Sequence, residues 1–217
     1  MVLNTVLFPQ TVLPLRIFEP RYRAMLDHAL RGSRVFTVAM PRRNSGGADS
    51  ASPCSVAGLG MIRVAVKNPD GTSNLILQGL TRVRLGRVAR FKPFREYRIE
   101  PMASEAKDSL VVDALRARVL ELAEARARLS TPAAFQAIAK LAGDDSQKPD
   151  LTQFIQALAR IPDPADLADF ISGVFLRNQP RAQQQILESV DVEIRLKTLV
   201  HLLMMDVLRA QQESKSK

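Results

Sequence analysis

The sequence has no tryptophan, one cysteine and two histidines among its 217 residues, and each shortage removes a class of chemistry. A single thiol, Cys54, excludes an internal disulfide and any zinc site built from several cysteines. His28 and His201 each fall in a helix-periodic segment with no Cys or carboxylate at metal-ligand spacing, so both are expected to pack or face solvent. No apolar run approaches the roughly 18–20 residues of a membrane helix, and the first residues lack the charged and apolar regions of a secretory signal. A soluble, cytoplasmic chain with no membrane contact is the expectation. A Gly-x-x-x-x-Gly-Lys-[Ser/Thr] phosphate loop is also missing, and Gly58-Leu59-Gly60 lacks the third glycine and the strand-to-helix context of a dinucleotide fingerprint. The acidic pair Asp144-Asp145 lies beside Gly143, where turn chemistry accounts for it. The composition therefore points to a protein without catalytic residues, metal or cofactor.

What remains is ordinary in bulk and uneven in distribution. Hydrophobic residues make up 46% of the chain, enough for one large domain or two modest ones. The net charge of +9 comes from the first half: residues 1–100 hold 16 Lys and Arg against 6 Asp and Glu, and the rest is nearly neutral. Such a bias fits nucleic acid, an acidic partner or plain solubility.

The most informative stretch is Leu13-Pro14-Leu15-Arg16-Ile17-Phe18-Glu19-Pro20-Arg21-Tyr22. Leu13, Leu15 and Ile17 alternate with Pro14, Arg16 and Phe18, the period of a strand. Pro20 after Glu19 suits the first position of a helix, where its missing N–H costs nothing. Tyr22, Met25, Leu26 and Ala29 then recur on one helical face, and Gly32 stands where a left-handed terminating residue is wanted. Arg16, Glu19 and Arg21 sit among apolar side chains, so a fixed ion network locking the strand-to-helix turn is expected.

These residues carry a resemblance. Val6-Leu7-Phe8-Pro9 followed by Leu13 to Tyr22 resembles the opening of the Lon protease N-terminal, or substrate-binding, domain family. Gln10 departs from it, since the family usually has Gly there, so the tight turn after Pro9 is expected to differ. Family members also usually carry a few more residues ahead of this point, which makes a shortened start the expectation here. Further along, Gly60-Met61-Ile62-Arg63-Val64, Asp70-Gly71 and Gly79-Leu80-Thr81-Arg82-Val83 resemble the family's glycine-punctuated strands. Three later runs resemble its helical portion: Leu167-Ala168-Asp169-Phe170-Ile171, Gln183 to Glu188 and Val190 to Leu196. The resemblance implies recognition of unfolded or peptide segments of proteins, with an ATP-dependent protease as a possible partner. The serine and lysine that cut peptides in full-length relatives belong to a separate domain, and Ser214-Lys215 lies in a polar tail with no scaffold to fix it.

Along the chain, Met1 to Pro9 reads as an apolar strand and Val35 to Met40 as another. Residues 42–54, rich in Ser, Gly, Asn and Asp, read as a mobile surface loop. Gly58–Val66 and Leu75–Gly79 flank the turn Asn68-Pro69-Asp70-Gly71 and predict a hairpin. Val83, Leu85 and Val88 continue its second strand, and Phe94, Tyr97 and Ile99 predict one more before Pro101. Short strands with one helix predict a small, partly closed barrel over residues 1–103, which the resemblance describes as PUA-like. From residue 104 the period becomes helical: Val111, Leu115, Val119, Leu122, Ala125 and Leu129 form one stripe. Helices follow from Pro132, Leu151, Ala165 and Pro180. A last one carries Val192, Leu196, Leu199, Leu203 and Val207 inward, ahead of a frayed tail from Gln211. The fold class is therefore α+β, a barrel followed by a helical bundle over residues 104–217.

Two surfaces could bind a partner. A peptide would use an apolar groove between barrel and bundle, or add a strand at an open barrel edge. The alternative is nucleic acid on the basic segment Arg82, Arg84, Arg87, Arg90, Lys92 and Arg95, interleaved with Phe91, Phe94 and Tyr97. The simpler account of that segment is the solvated face of a strand, Arg82 and Arg84 opposite Val83 and Leu85, with Phe94 matching the family's barrel-closing aromatic. A small-molecule sensor, the third possibility, requires a concave pocket with a few polar groups.

Overall fold

Apolar alternation from Val12 to Ile17 makes strand β1, along which Leu13 and Leu15 are half-buried and Ile17 is buried. The computed structural model describes residues 1–42, 52–105, 109–141 and 149–215, and the chain divides into two units, Met1–Ala103 and Ser104–Lys217. In the first unit β1 is followed by α1 (Pro20–Arg31), β2 (Val35–Val38), β3 (Val56–Lys67), β4 (Ser73–Arg90) and β5 (Glu96–Met102). The second unit holds α2 (Leu110–Arg128), α3 (Pro132–Leu141), α4 (Leu151–Ala159), α5 (Pro164–Phe175), α6 (Pro180–Glu188) and α7 (Val192–Lys215).

The sheet is antiparallel throughout and runs β1-β4-β3-β2. The long β4 is its spine: β3 lies along one edge, while β1 faces residues 73–78 and β5 residues 82–90 of the other. Bulges between Leu59 and Gly60 and between Ile62 and Val64 bend β3. Among the described residues no pairing joins β1 to β2, so the curl stays open there. Asn68-Pro69-Asp70-Gly71 makes the hairpin turn, with Gly71 at φ +77° and the Asp70 carboxylate accepting from the Thr72 N–H at 2.9 Å. The same carboxylate accepts a hydrogen bond from the Thr72 hydroxyl, and these bonds hold the Asp70 pKa below its ordinary value.

Helix α1 starts as expected, with Glu19 extended ahead of Pro20, and buries Tyr22, Met25, Leu26 and Ala29. Its end does not follow the sequence reading. Gly32 has φ −111°, and the left-handed residue is Arg34 at φ +60°. The Arg34 guanidinium donates to the Ile62 carbonyl at 3.3 Å and its own carbonyl accepts from the Ile62 N–H at 2.8 Å, which ties the helix exit to the bulge in β3.

A larger correction concerns the start of the chain. Met1 to Pro9 is not a strand; Val2 makes one isolated bridge to Ala39, and Val6, Leu7 and Phe8 are buried as a crossing segment. Glycine makes room for it. A Cβ on Gly58 would collide with the Leu7 carbonyl, one on Gly79 with the Phe8 carbonyl, and one on Gly60 would lie 2.6 Å from Leu77 and 2.7 Å from Leu7. Backbone thus crosses the β3–β4 face at a distance only glycine allows. Beyond the crossing, Gln10 N–H donates to the Gly79 carbonyl at 3.0 Å and Gly79 N–H to the Thr11 carbonyl at 2.8 Å. Gln10 itself has φ +60°.

The loop read over 42–54 lies outside the described residues from 43 to 51, as does the Gly143-Asp144-Asp145 turn. The loop's ends are clasped: Arg42 N–H donates to the Ser52 carbonyl and Cys54 N–H to the Met40 carbonyl. Strand β5 begins at Glu96, leaving Phe94 in the turn before it, and it contains Pro101 within its length.

In the helical unit the inward stripe of α7 is the expected one, Val192, Leu196, Leu199, Leu203 and Val207 all being buried. The helix continues through Gln211 to Lys215 instead of fraying there. The first turn of α2 is rotated from the predicted stripe, so Val112 is buried and Val111 exposed. Asp163 caps α5 by accepting from the Ala165 N–H at 2.7 Å. At the centre lies Arg195 of α7, fully buried. Its Nη1 donates to Asp169 of α5 at 3.3 Å, and its Nε and Nη2 to the Ser189 carbonyl at 3.0 and 2.7 Å. Nη2 also reaches the Ser104 hydroxyl at 3.1 Å. Nearby the Gln183 amide donates to the Ser172 carbonyl at 3.0 Å. Asp169, Gln183 and Arg195, one from each of the three helical runs, are interior links between helices.

Three stability predictions follow from these contacts. Gly79→Ala should cost about 3 kcal/mol or more because backbone must shift. Gly86→Ala, whose Cβ would lie 3.3 Å from the Arg98 carbonyl on an exposed stretch, should stay within about 1 kcal/mol of the parent. Gln10→Gly should leave stability unchanged or raise it by up to about 1 kcal/mol, while Gln10→Val should lower it, since a β-branched residue tolerates positive φ poorly. Asp169→Ala should cost about 3–5 kcal/mol by leaving the Arg195 charge buried and uncompensated. Urea denaturation midpoints of the five variants check all three, and equal midpoints for Gly79→Ala and Gly86→Ala would refute the crossing account.

Candidate functional site

Past the end of β3, strand β4 continues to Arg90 paired only with β5, and the two are joined by the turn Phe91–Arg95, which contains a cis Lys92–Pro93 bond. Phe94 folds back from this turn onto the α1 side of the barrel. Its ring lies 5.6 Å from that of His28, and it packs against the buried cluster around Tyr22, Met25 and Leu77. Between the turn, the first turns of α1 and the residues Met1 and Val2 is a concave pocket of about 370 Å³.

Each wall is fixed by a specific contact. The Tyr22 hydroxyl accepts from the Val2 N–H and donates to the Val2 carbonyl, both at 3.2 Å, holding the start of the chain against α1. Arg21 is half-buried, bonds Glu19 at 2.7 Å and stacks over the Tyr22 ring at 4.7 Å. The Met1 α-amino group donates to the Thr37 carbonyl at 2.7 Å, beside bonds from Leu3 N–H to Ala39 and from Ala39 N–H to Met1 that lay the first residues along β2. Burial, with Arg21 adding repulsion, lowers the pKa of this amine from 8.0 to about 5, so it is neutral at pH 7. The floor and rim are apolar, with Met25, Leu85, Phe94 and Tyr97 inside and Phe91, 70% exposed, at the edge. The charged side chains on the lining are Arg21, Lys92 and Arg95, with no Asp or Glu among them.

The residues singled out in the sequence are only partly gathered here. The expected network of Arg16, Glu19 and Arg21 is two separate pairs: Arg21 with Glu19, and Arg16 with Asp70 at 3.4 Å across the exposed hairpin end. Pro14 and Arg16 border a second, shallow groove with Val64, Val66 and Ile76 on the outer face of the hairpin. Phe18 points to solvent, 63% exposed, Pro20 only starts the helix, and Tyr22 joins the pocket. The basic segment splits further. Arg82 is not on a solvated face: it is 2% exposed, beside the equally buried Val83. Arg84 and Arg87 are exposed, Arg90 pairs with Glu96 at 3.4 Å, and Lys92 and Arg95 face the pocket. The sequence reading missed the meeting of Met1, Val2 and Tyr22 with the Phe91–Arg95 turn, for which the only signal was the aromatic interleaving around Lys92. Among the described residues no three of His, Cys, Asp and Glu converge to hold a metal ion, and no helix is long and apolar enough to cross a membrane.

Residues 1–204 match the family described as the ATP-dependent protease La (LON) substrate-binding domain. The chain belongs to that family. Similar proteins include the Lon proteases of Desulfosudis oleivorans, 24% identical over 91% of this chain, Trichlorobacter lovleyi, 28% over 92%, and Roseiflexus castenholzii, 27% over 99%. This chain spans 22%, 22% and 25% of their respective lengths. Two solved structures share the fold. The N-terminal domain of a Mycobacterium avium complex Lon protease has TM-score 0.67 at 22% identity, with 94% of this chain and 96% of that one covered. A Lon N-terminal domain protein from Xanthomonas campestris gives 0.56 at 17%, with 93% and 95% covered. The α+β architecture read from the sequence is therefore the Lon N-terminal architecture, a sheet unit followed by a helical one.

Proposed function

We propose that this protein recognises segments of other proteins without cutting them, acting in the cytoplasm as a binding module that cooperates with an ATP-dependent protease. One observation carries the reading: nearly the whole chain matches a family defined as a substrate-binding domain. The sequence supports it by holding neither a phosphate loop nor a scaffolded nucleophile. The pocket supports it with a concave apolar surface rimmed by cations, the form in which an exposed side chain of an unfolded segment is captured.

Nucleic acid is the weaker reading. Of the basic segment, Arg82 is interior and Arg90 is paired, leaving Arg84 and Arg87 as the exposed cations on β4 outside the pocket. The experiment is equilibrium binding of the purified chain to fluorescently labelled unfolded polypeptides across a range of salt concentrations, alongside ATPase and peptidase assays. Saturable binding that persists at high salt, with no ATP turnover and no cleavage, is expected. Affinity for single-stranded nucleic acid that collapses with salt, and none for polypeptide, would replace this reading with the other. Intrinsic cleavage or ATP hydrolysis would end it.

A further inference from the structure

We infer that the open edge of β1 takes an extended segment of another polypeptide as an added antiparallel strand, with an acidic residue opposite Arg16 and apolar residues opposite Leu13 and Leu15. The inference rests on the proposed role in protein recognition and names the site and the class of segment it takes.

The backbone is the first argument. Among the described residues β1 pairs with β4 alone, so its other edge carries no strand. Gly79 N–H donates to the Thr11 carbonyl, and in the register that follows Leu13, Leu15 and Ile17 exchange hydrogen bonds with β4. Val12, Pro14 and Arg16 therefore turn their backbone groups to the open edge, the one direction in which a proline fits a strand. The second argument is uncovered apolar surface on both faces of that edge. On the inner face Ile17 is buried, but Leu13 and Leu15, which pack against the same core, are only half-buried. On the outer face Pro14, Ile76 and Val64 form one row across three strands, with Val12 and Val66 exposed in the rows beside it. An added strand would bond the open backbone groups and cover the two leucines with its own apolar side chains.

Proline and charge select the occupant. A second copy of this chain would bring a second proline into the shared ladder. It would also set together two units whose first 100 residues each hold 16 Lys and Arg against 6 Asp and Glu. A segment of another protein meets one proline and forgoes one hydrogen bond. Arg16 sets its charge. The guanidinium is exposed on the edge strand and gives one contact, from Nη2, to Asp70 at 3.4 Å. Because a guanidinium carries several donors, a carboxylate directly opposite is bound without releasing Asp70, whereas a lysine there is repelled.

The test uses the full 217-residue chain and labelled ten-residue peptides with the core Glu-Val-Thr-Val-Thr. Set antiparallel, this core places Glu opposite Arg16 and the two Val opposite Leu15 and Leu13. N-methylation of both Thr amides, which face β1, should raise the Kd read by fluorescence anisotropy about tenfold or more. N-methylation of both Val amides, which face away, should change it by less than about threefold. Lys in place of Glu should weaken binding several-fold, and Arg16→Glu should reverse that preference. Val12→Pro, which removes an edge-facing N–H, should weaken the peptide several-fold. Pro14→Thr, which adds one, should tighten it by a similar factor. Thermal melting of each variant separates lost binding from lost folding, and the two N-methylated peptides carry the test on the parent chain if Val12→Pro fails to fold.

Equal losses from the two N-methylated peptides, with unfolded polypeptides still bound, would overturn strand addition and leave protein recognition standing. So would a loss with Phe91→Ala and none with Val12→Pro, which would put the segment in the pocket. Self-association of the parent chain that the peptide reverses would make a second copy the occupant and overturn the inference. Failure of every peptide and every unfolded polypeptide would overturn both readings.

Discussion

The sheet unit depends on one crossing. Leu7 and Phe8 pass over β3 and β4 with their carbonyls against Gly58 and Gly79, and no other residue type leaves space there. The contact is covalently cheap and sterically absolute: a methyl group at either glycine meets backbone rather than a side chain that could swing aside. Gln10 and Thr11 then exchange hydrogen bonds with Gly79, so the segment is joined to the spine strand as well as laid over it. Beneath it sits the main core, in which Leu7 packs with Ile17, Ile62, Leu75 and Leu77 of three strands and with Met25 and Leu26 of α1.

Periodicity made the elements legible and could not make the crossing legible. The strand of Leu13 to Ile17, the face of Tyr22 to Ala29, the hairpin at Asn68 to Gly71 and the inward stripe of α7 follow from spacing and turn chemistry alone. Val6-Leu7-Phe8 looked like a strand because a short apolar run is consistent with any buried backbone, extended or irregular. Its partner glycines lie more than fifty residues later, and no local pattern links them. The two blocks that carry the family resemblance, Val6 to Pro9 and the glycine-punctuated strands, are in direct backbone contact. Gln10 adopts φ +60°, the left-handed conformation that glycine takes most readily, and a polar unbranched residue tolerates it at modest cost.

Charge was the harder part to read, because sequence shows where a charge is and not how far its side chain reaches. Arg16, Glu19 and Arg21 are close in sequence, yet the strand points Arg16 along the hairpin to Asp70 while the helix start turns Arg21 back on Glu19. Arg82 alternates correctly with Arg84 by count, but the chain bulges near this stretch and both Arg82 and Val83 are interior. Arg195 sits in an amphipathic run that any bundle could contain, and its burial follows from Ser189, Asp169 and Ser104 being brought to it from three separate parts of the helical unit. A buried guanidinium with this many acceptors is costly to desolvate and costlier to break, so it specifies one arrangement of helices more than it adds net stability.

The crossing also explains why the candidate site exists where it does. Because Leu7 and Phe8 are pinned over the sheet, the residues before them must return along the barrel, and they do so by pairing Met1 and Leu3 with Thr37 and Ala39 beside β2. That path delivers Val2 to the Tyr22 hydroxyl, which bonds both its N–H and its carbonyl and thereby fixes one wall of the pocket. The opposite wall is the turn that β4 can carry only because it outruns β3 and pairs with β5 instead. Loosening the crossing would therefore move the wall at Val2 and Tyr22 while leaving the Phe91–Arg95 turn on β4 and β5 in place. The pocket is thus built from two segments far apart in the chain, and the glycines that admit the first of them are as much a part of it as the side chains that line it.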